Sequence, residues 1–84
     1  MIRYTYALSE EAVDVFCRLS TRQRRRLLRG CERMTAYPHQ MGDYQEVGVT
    51  GRIYQVTLVE DLLITWWADD AARELRIVRL EVID

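Results

Sequence analysis

Pro38 is the only proline in the chain, and it separates two hydrophobic patterns that do not belong to one kind of secondary structure. Between residues 9 and 36 apolar residues recur every three to four positions, and beyond the proline they alternate. The first period places apolar side chains on one stripe of a helix; the second places them on one face of a strand. The proline also marks the boundary physically, because the residue before a proline is disfavoured in the helical region. A helical layer followed by a sheet layer is the expected consequence.

The elements follow from this division. Tyr4, Tyr6 and Leu8 alternate with Arg3, Thr5 and Ala7, a short opening strand. Ser9 then suits an N-cap, with Glu10, Glu11 and Asp14 where the positive end of a helix dipole favours carboxylates. Ala12, Val15, Phe16 and Leu19 make the apolar face of a first helix. Ser20-Thr21 offers a second cap, which predicts another helix over 22–36 with Leu27, Leu28, Cys31 and Met34 on its buried stripe.

After Pro38, Gly42, Gly48 and Gly51 provide turn positions around a short strand within 44–49. Residues 52–59 read as a strand with Tyr54, Val56 and Leu58 on one face, and Glu60-Asp61 as its turn. Residues 62–68 are the most hydrophobic segment and the candidate central strand, covered on both faces. A turn at 69–73 leads to a last strand over 74–83, with Val78, Leu80 and Val82 predicted to share a face. The expected fold is α+β, a single domain over 1–84: a two-layer β-α-α-β-β-β arrangement whose antiparallel sheet has an N-terminal strand and carries a helical hairpin on one face.

Charge is distributed unevenly over this plan. Twelve arginines, with no lysine, face thirteen carboxylates for a net charge of −1, which excludes a generally basic nucleic-acid binder. Yet 18–33 holds seven arginines against one glutamate. Arg22, Arg25, Arg26, Arg29 and Arg33 fall on one face of the second helix, opposite Leu27, Cys31 and Met34. Such a stripe is either a surface for phosphate or an acidic partner, or a solvated face balanced by the acidic remainder.

Other candidates are more isolated. Gly51-Arg52 can project a guanidinium from the start of a strand, either as a functional group or as a partner for Asp43 or Glu46. Trp66 and Trp67 must point to opposite sheet faces; one packs under the helices, and the other is a partner contact, a stacking platform, or is itself covered. His39 is the sole histidine and sits in a predicted exposed loop, with no nucleophile identified beside it. Cys17 and Cys31, on antiparallel helices, would be offset axially by on the order of 10 Å, so both are expected as buried free thiols. No apolar run is long enough to cross a bilayer, no signal-type leader opens the chain, and no motif requires a metal or cofactor, so a cytoplasmic protein is expected.

With this element order in place, the chain resembles the RelE/ParE superfamily of bacterial type II toxins. The resemblance rests on the opening strand with Ser9 and Ala12, the helix pair ending at Pro38, Gly51-Arg52-Ile53-Tyr54-Gln55-Val56, Ile64-Thr65-Trp66 and Arg76-Ile77-Val78. It extends to Trp67-Ala68-Asp69 and Glu74-Leu75 in the manner of a compact, toxin-like branch. Similarity to RelE would imply messenger RNA cleavage on the ribosome, using basic side chains on the sheet. The corresponding positions here are Gln55, Thr57 and Leu63, none of them cationic. Similarity to ParE would imply a gyrase target. Either way a cognate antitoxin is implied, often acidic, and the stripe Arg22, Arg25, Arg26, Arg29 and Arg33, with Trp67, would meet it. A ribosome-dependent endoribonuclease using His39, Arg52, Arg76 and Arg79 is the alternative, and a non-toxic interaction or homodimerisation module is a third.

Overall fold

The computed structural model describes residues 3–83. The elements are β1 (Thr5–Leu8), α1 (Glu10–Arg18), α2 (Thr21–Ala36), β2 (Tyr44–Val47), β3 (Ile53–Val59), β4 (Leu62–Asp69) and β5 (Glu74–Val82). Both helix starts follow the local chemistry. The Ser9 hydroxyl accepts from the Ala12 N–H, and Ser20 forms a reciprocal capping box with Gln23. The helix pair ends at Ala36, with Tyr37 as its cap immediately before Pro38.

The five strands form one sheet in the order β1-β5-β4-β3-β2, so the hydrophobic β4 is central. From β2 to β5 the sheet is antiparallel, and β1 joins at the edge parallel to β5, with Tyr6 opposite Leu75. Both helices pack on one face. Their Ala12, Leu19, Leu27, Cys31 and Met34 close over Leu62, Ile64, Trp66, Leu75, Ile77 and Leu80, all buried.

Several expectations change here. Leu28, expected on the buried stripe of α2, is 37% exposed, because it lies about 100° around the helix from Leu27 and so turns away from the sheet. The last strand does not alternate through Val78, Leu80 and Val82: Trp66 pairs with Ile77 while Thr65 pairs with Arg79, so Val78 is an extra residue in a β-bulge. The bulge is tied to the start of α1, because the Ser9 N–H donates to the Ile77 carbonyl at 2.9 Å and its hydroxyl to the Val78 carbonyl at 3.0 Å. It keeps Leu75, Ile77 and Leu80 all inward. Of the two cysteines, only Cys31 is buried; Cys17 lies on the exposed side of α1, and both are free.

The face of the sheet away from the helices is open. Tyr54, Val56 and Leu58 share a face as expected, and it is this one, since Val56 pairs with Thr65 and Leu58 with Leu63. β4 is thus roofed by helices on one side only, although Thr65 and Val56 are buried on the other.

Candidate functional site

On α2 the arginines divide by role. Arg22, Arg25, Arg29 and Arg33 are exposed, and none forms an ion pair among the described residues. Arg22, Arg25 and Arg29 line one shallow depression, and Arg29 and Arg33 the next. Arg26 belongs to the same stripe but turns toward the β3–β4 hairpin. It pairs with Glu60 and, at 3.5 Å, with Asp61, and its side chain is only 21% exposed. Arg24, outside the stripe, bonds to the end of α1. Of five stripe arginines, then, four face solvent without an ion pair among the described residues, although Glu60 and Glu32 line the same depressions, and one secures the sheet.

Charge on the open face is compensated differently. Arg76 pairs with Asp69 at 2.9 Å and Glu74 at 3.5 Å, and Arg79 with Glu46 at 2.6 Å and Glu81 at 2.8 Å. Glu46 is therefore not the partner of Arg52, and neither is Asp43, whose carboxylate accepts the Leu58 N–H at 2.6 Å. Arg52 instead lies over the Trp67 indole, 3.6 Å from guanidinium carbon to ring centroid, with Arg76 at 5.9 Å. Trp66 and Trp67 do take opposite faces: Trp66 is buried under the helices and donates to the Thr57 hydroxyl at 3.0 Å, while Trp67 is half-buried beneath Arg52. The side-chain pKa of Arg79 is raised by its hydrogen bond to Glu46, and that of Asp69 is lowered by the Ala72 N–H and by Arg76.

His39 is elsewhere. Its Nε2 lies 2.7 Å from the Asp70 carboxylate, which also accepts the Tyr4 hydroxyl at 2.6 Å, and the Tyr4 and His39 rings meet edge to face. These bonds pull the Asp70 carboxyl below its ordinary range, the Tyr4 hydroxyl contributing most, and push the Tyr4 phenol up. The cluster links the β4–β5 turn to the segment after α2 and to the residue before β1, and all three side chains lie near the surface. His39 is thus held by an acid and a phenol, while Arg52, Arg76 and Arg79 are held by an indole and by other acids. The four do not assemble around one common point.

No family model and no curated protein matches the sequence. Among solved structures, the chain superposes on one from the crystal structure of the archaeal RelE-RelB complex from Pyrococcus horikoshii OT3 with a TM-score of 0.75, covering 96% of each chain at 13% identity. The fold is RelE-like. The identity is too low to carry residue roles from one chain to the other, so those rest on the geometry above.

In this RelE-like fold the three non-cationic positions do structural work. Gln55 accepts the Gly42 N–H at 2.8 Å and a Gln45 side-chain N–H at 2.9 Å; Thr57 holds the Trp66 indole; Leu63 is half-buried. The Tyr4-Asp70-His39 cluster and the Glu46–Arg79 pair had no local signal, because their members lie 31 to 66 residues apart. The Thr65 hydroxyl, which no local pattern singles out, is buried without a hydrogen-bond partner.

Proposed function

We propose that this protein is the toxin-fold member of a type II toxin-antitoxin pair and acts through protein-binding surfaces. Residues 1–84 would work as one cytoplasmic binding domain, with the solvent face of α2 taking an acidic segment of the antitoxin. The observation that carries this reading is the exposed row Arg22, Arg25, Arg29 and Arg33, none of them ion-paired among the described residues, on a fold shared with a chain of the RelE-RelB complex. These residues span about 16 Å along the helix at ~1.5 Å per residue. Carboxylates three and four residues apart on a partner helix would repeat with the same spacing. Four adjacent like charges destabilise the helix slightly when free, so an acidic partner relieves repulsion as well as adding contacts.

The ribonuclease reading has less support. Phosphoryl-transfer catalysis needs cations converging where negative charge develops. Arg76 and Arg79 are each bracketed by two carboxylates, and His39 is bound to Asp70.

The test is to co-express the chain with the product of the adjacent reading frame and measure their affinity against salt. Arg25→Glu combined with Arg29→Glu should weaken the complex at least about tenfold and flatten its salt dependence. Unchanged affinity would show that the row is only a solvated face. Induction of the chain alone separates the activities. Growth arrest with intact messenger RNA supports the binding reading, codon-phased cuts that vanish in Arg76→Ala would replace it by the ribonuclease, and antitoxin binding without arrest would leave a non-toxic interaction module.

A further inference from the structure

The outer strand β2 is the least covered part of the sheet. It lies at the end of the strand order, and among the described residues no element except β3 packs closely against it. The Gly48 N–H donates to the Arg52 carbonyl at 2.8 Å, and Glu46 lies opposite Tyr54 in the antiparallel register. Main-chain groups alternate in direction along such a strand, so those of Gln45 and Val47 point away from β3. Among the described residues no other segment's main chain bonds to them. A row of free N–H and carbonyl groups is a template for a further strand.

The side chains around this edge are apolar on both faces. Tyr44 is 46% exposed beside Val56 on the open face; Val47 at 74% and its cross-strand partner Ile53 at 59% take the other face, beyond the cover of the helices. Val49, in the turn that follows, is fully exposed. The devices that keep strand edges apart do not protect this one. β2 holds no lysine, arginine or proline. The charged residues between 41 and 53 are all turned elsewhere: Asp43 to the Leu58 N–H, Glu46 to Arg79, and Arg52 onto Trp67. An exposed apolar edge with no free charge selects an occupant of the same character.

We propose that β2 pairs antiparallel with β2 of a second copy of this chain, joining the two sheets into one. The strand fits itself. With the two-fold axis at Glu46, Gln45 of each copy faces Val47 of the other, so every outward main-chain group of β2 finds a partner. Each Glu46 is drawn back over its own sheet to Arg79 at 2.6 Å, so the two carboxylates at the axis point apart and each keeps its cation. Val47 and Ile53 of both copies then meet on the side of the helices. An acidic segment, the partner inferred for α2, would bring carboxylates to an edge that offers no free cation. An edge four residues long makes a small interface, so the dimer is weak and concentration-dependent. This edge lies outside the α2 row, and its pairing does not depend on the antitoxin reading.

The test is sedimentation equilibrium of the whole chain from about 5 to about 500 μM, in reducing buffer so that the exposed Cys17 cannot cross-link. Wild type should pass from monomer toward dimer across this range, with little dependence on salt. Val47→Lys and Val47→Glu should each weaken association at least about tenfold, because like charges then meet diagonally across the axis. Mixing the two variants should restore the dimer, now in a salt-sensitive form, since the added charges are opposite. Val13→Lys, at an exposed apolar position on α1, should dimerise as wild type does, and so should Arg25→Glu with Arg29→Glu. Thermal melting confirms that each variant is folded. A wild-type chain that stays monomeric throughout, association that survives Val47→Lys, or a failure of the two Val47 variants to recombine on mixing would each overturn the proposal.

Discussion

Arg24 Nε donates to the Phe16 carbonyl at 3.0 Å, so the basic helix closes the end of the acidic one. A second N–H of the same guanidinium reaches the Cys17 carbonyl at 2.6 Å, and the guanidinium carbon lies 5.5 Å from the Phe16 ring centroid. The last carbonyls of a helix have no partners within it, and a cation there also complements the dipole. Arg24→Ala should therefore cost about 1–2 kcal/mol, the range for partly exposed hydrogen bonds from a charged donor. That would lower Tm by roughly 5–15 °C for a domain of this size. Arg25→Ala, one position along but facing solvent, should stay within about 0.5 kcal/mol. Thermal melting of the two variants side by side distinguishes structural from surface arginines.

Removing the buried hydroxyl of Thr65 should help rather than harm the free protein. Valine keeps the shape, and the unpartnered polar atom disappears, so Thr65→Val should stabilise by about 1 kcal/mol in denaturant unfolding. A loss of stability would mean that the hydroxyl is satisfied in solution.

The two thiols should behave differently. Cys17 is exposed, whereas Cys31 is fully buried and its thiol is pushed up to about 12, by burial first and the nearby Glu32 second. An aromatic disulfide reagent at neutral pH should titrate one thiol per native chain rapidly and the second only on unfolding. Equal rates for both would contradict the packing of Cys31 under the sheet.

Stability should depend on pH through Asp70 and Tyr4. The Asp70 carboxyl is depressed in the folded chain, so its contribution is present above the ordinary value of 3.8 and is lost as pH falls through its lower folded value. The Tyr4 phenol is raised, so its contribution is present below 10.0 and is lost as pH rises through its higher folded value. The Tm difference between wild type and Asp70→Asn should therefore be largest between about pH 5 and 9 and shrink on both sides. A flat difference across that range and beyond would show that the three-residue cluster does not persist in solution.

Much of the architecture is local and was legible. Ser9 and Ser20 announce helices through their own hydroxyls, the period of Leu27, Cys31 and Met34 selects the buried stripe, and Pro38 ends the helical half. Alternation predicts that Trp66 and Trp67 separate, and the hydrophobicity of 62–68 predicts a central strand. The candidate site was legible only in part. Helical geometry alone puts Arg22, Arg25, Arg29 and Arg33 on one face, but nothing in their spacing shows that Arg26 leaves that row for Glu60 and Asp61.

The sequence by itself determined the two periods, the caps and the uneven charge, because each depends on residues within a few positions of one another. The tertiary structure alone decided the pairings. Glu46 on β2 meets Arg79 on β5 across the open face, over the two strands between them, and Arg52 is left on Trp67. The Val78 bulge shifts the register of β5 so that Leu75, Ile77 and Leu80 all face the helices. Whether a charge is compensated or left free depends on which side chains the assembled sheet brings within reach, including across intervening strands, and that is settled only when the whole sheet closes beneath the helices.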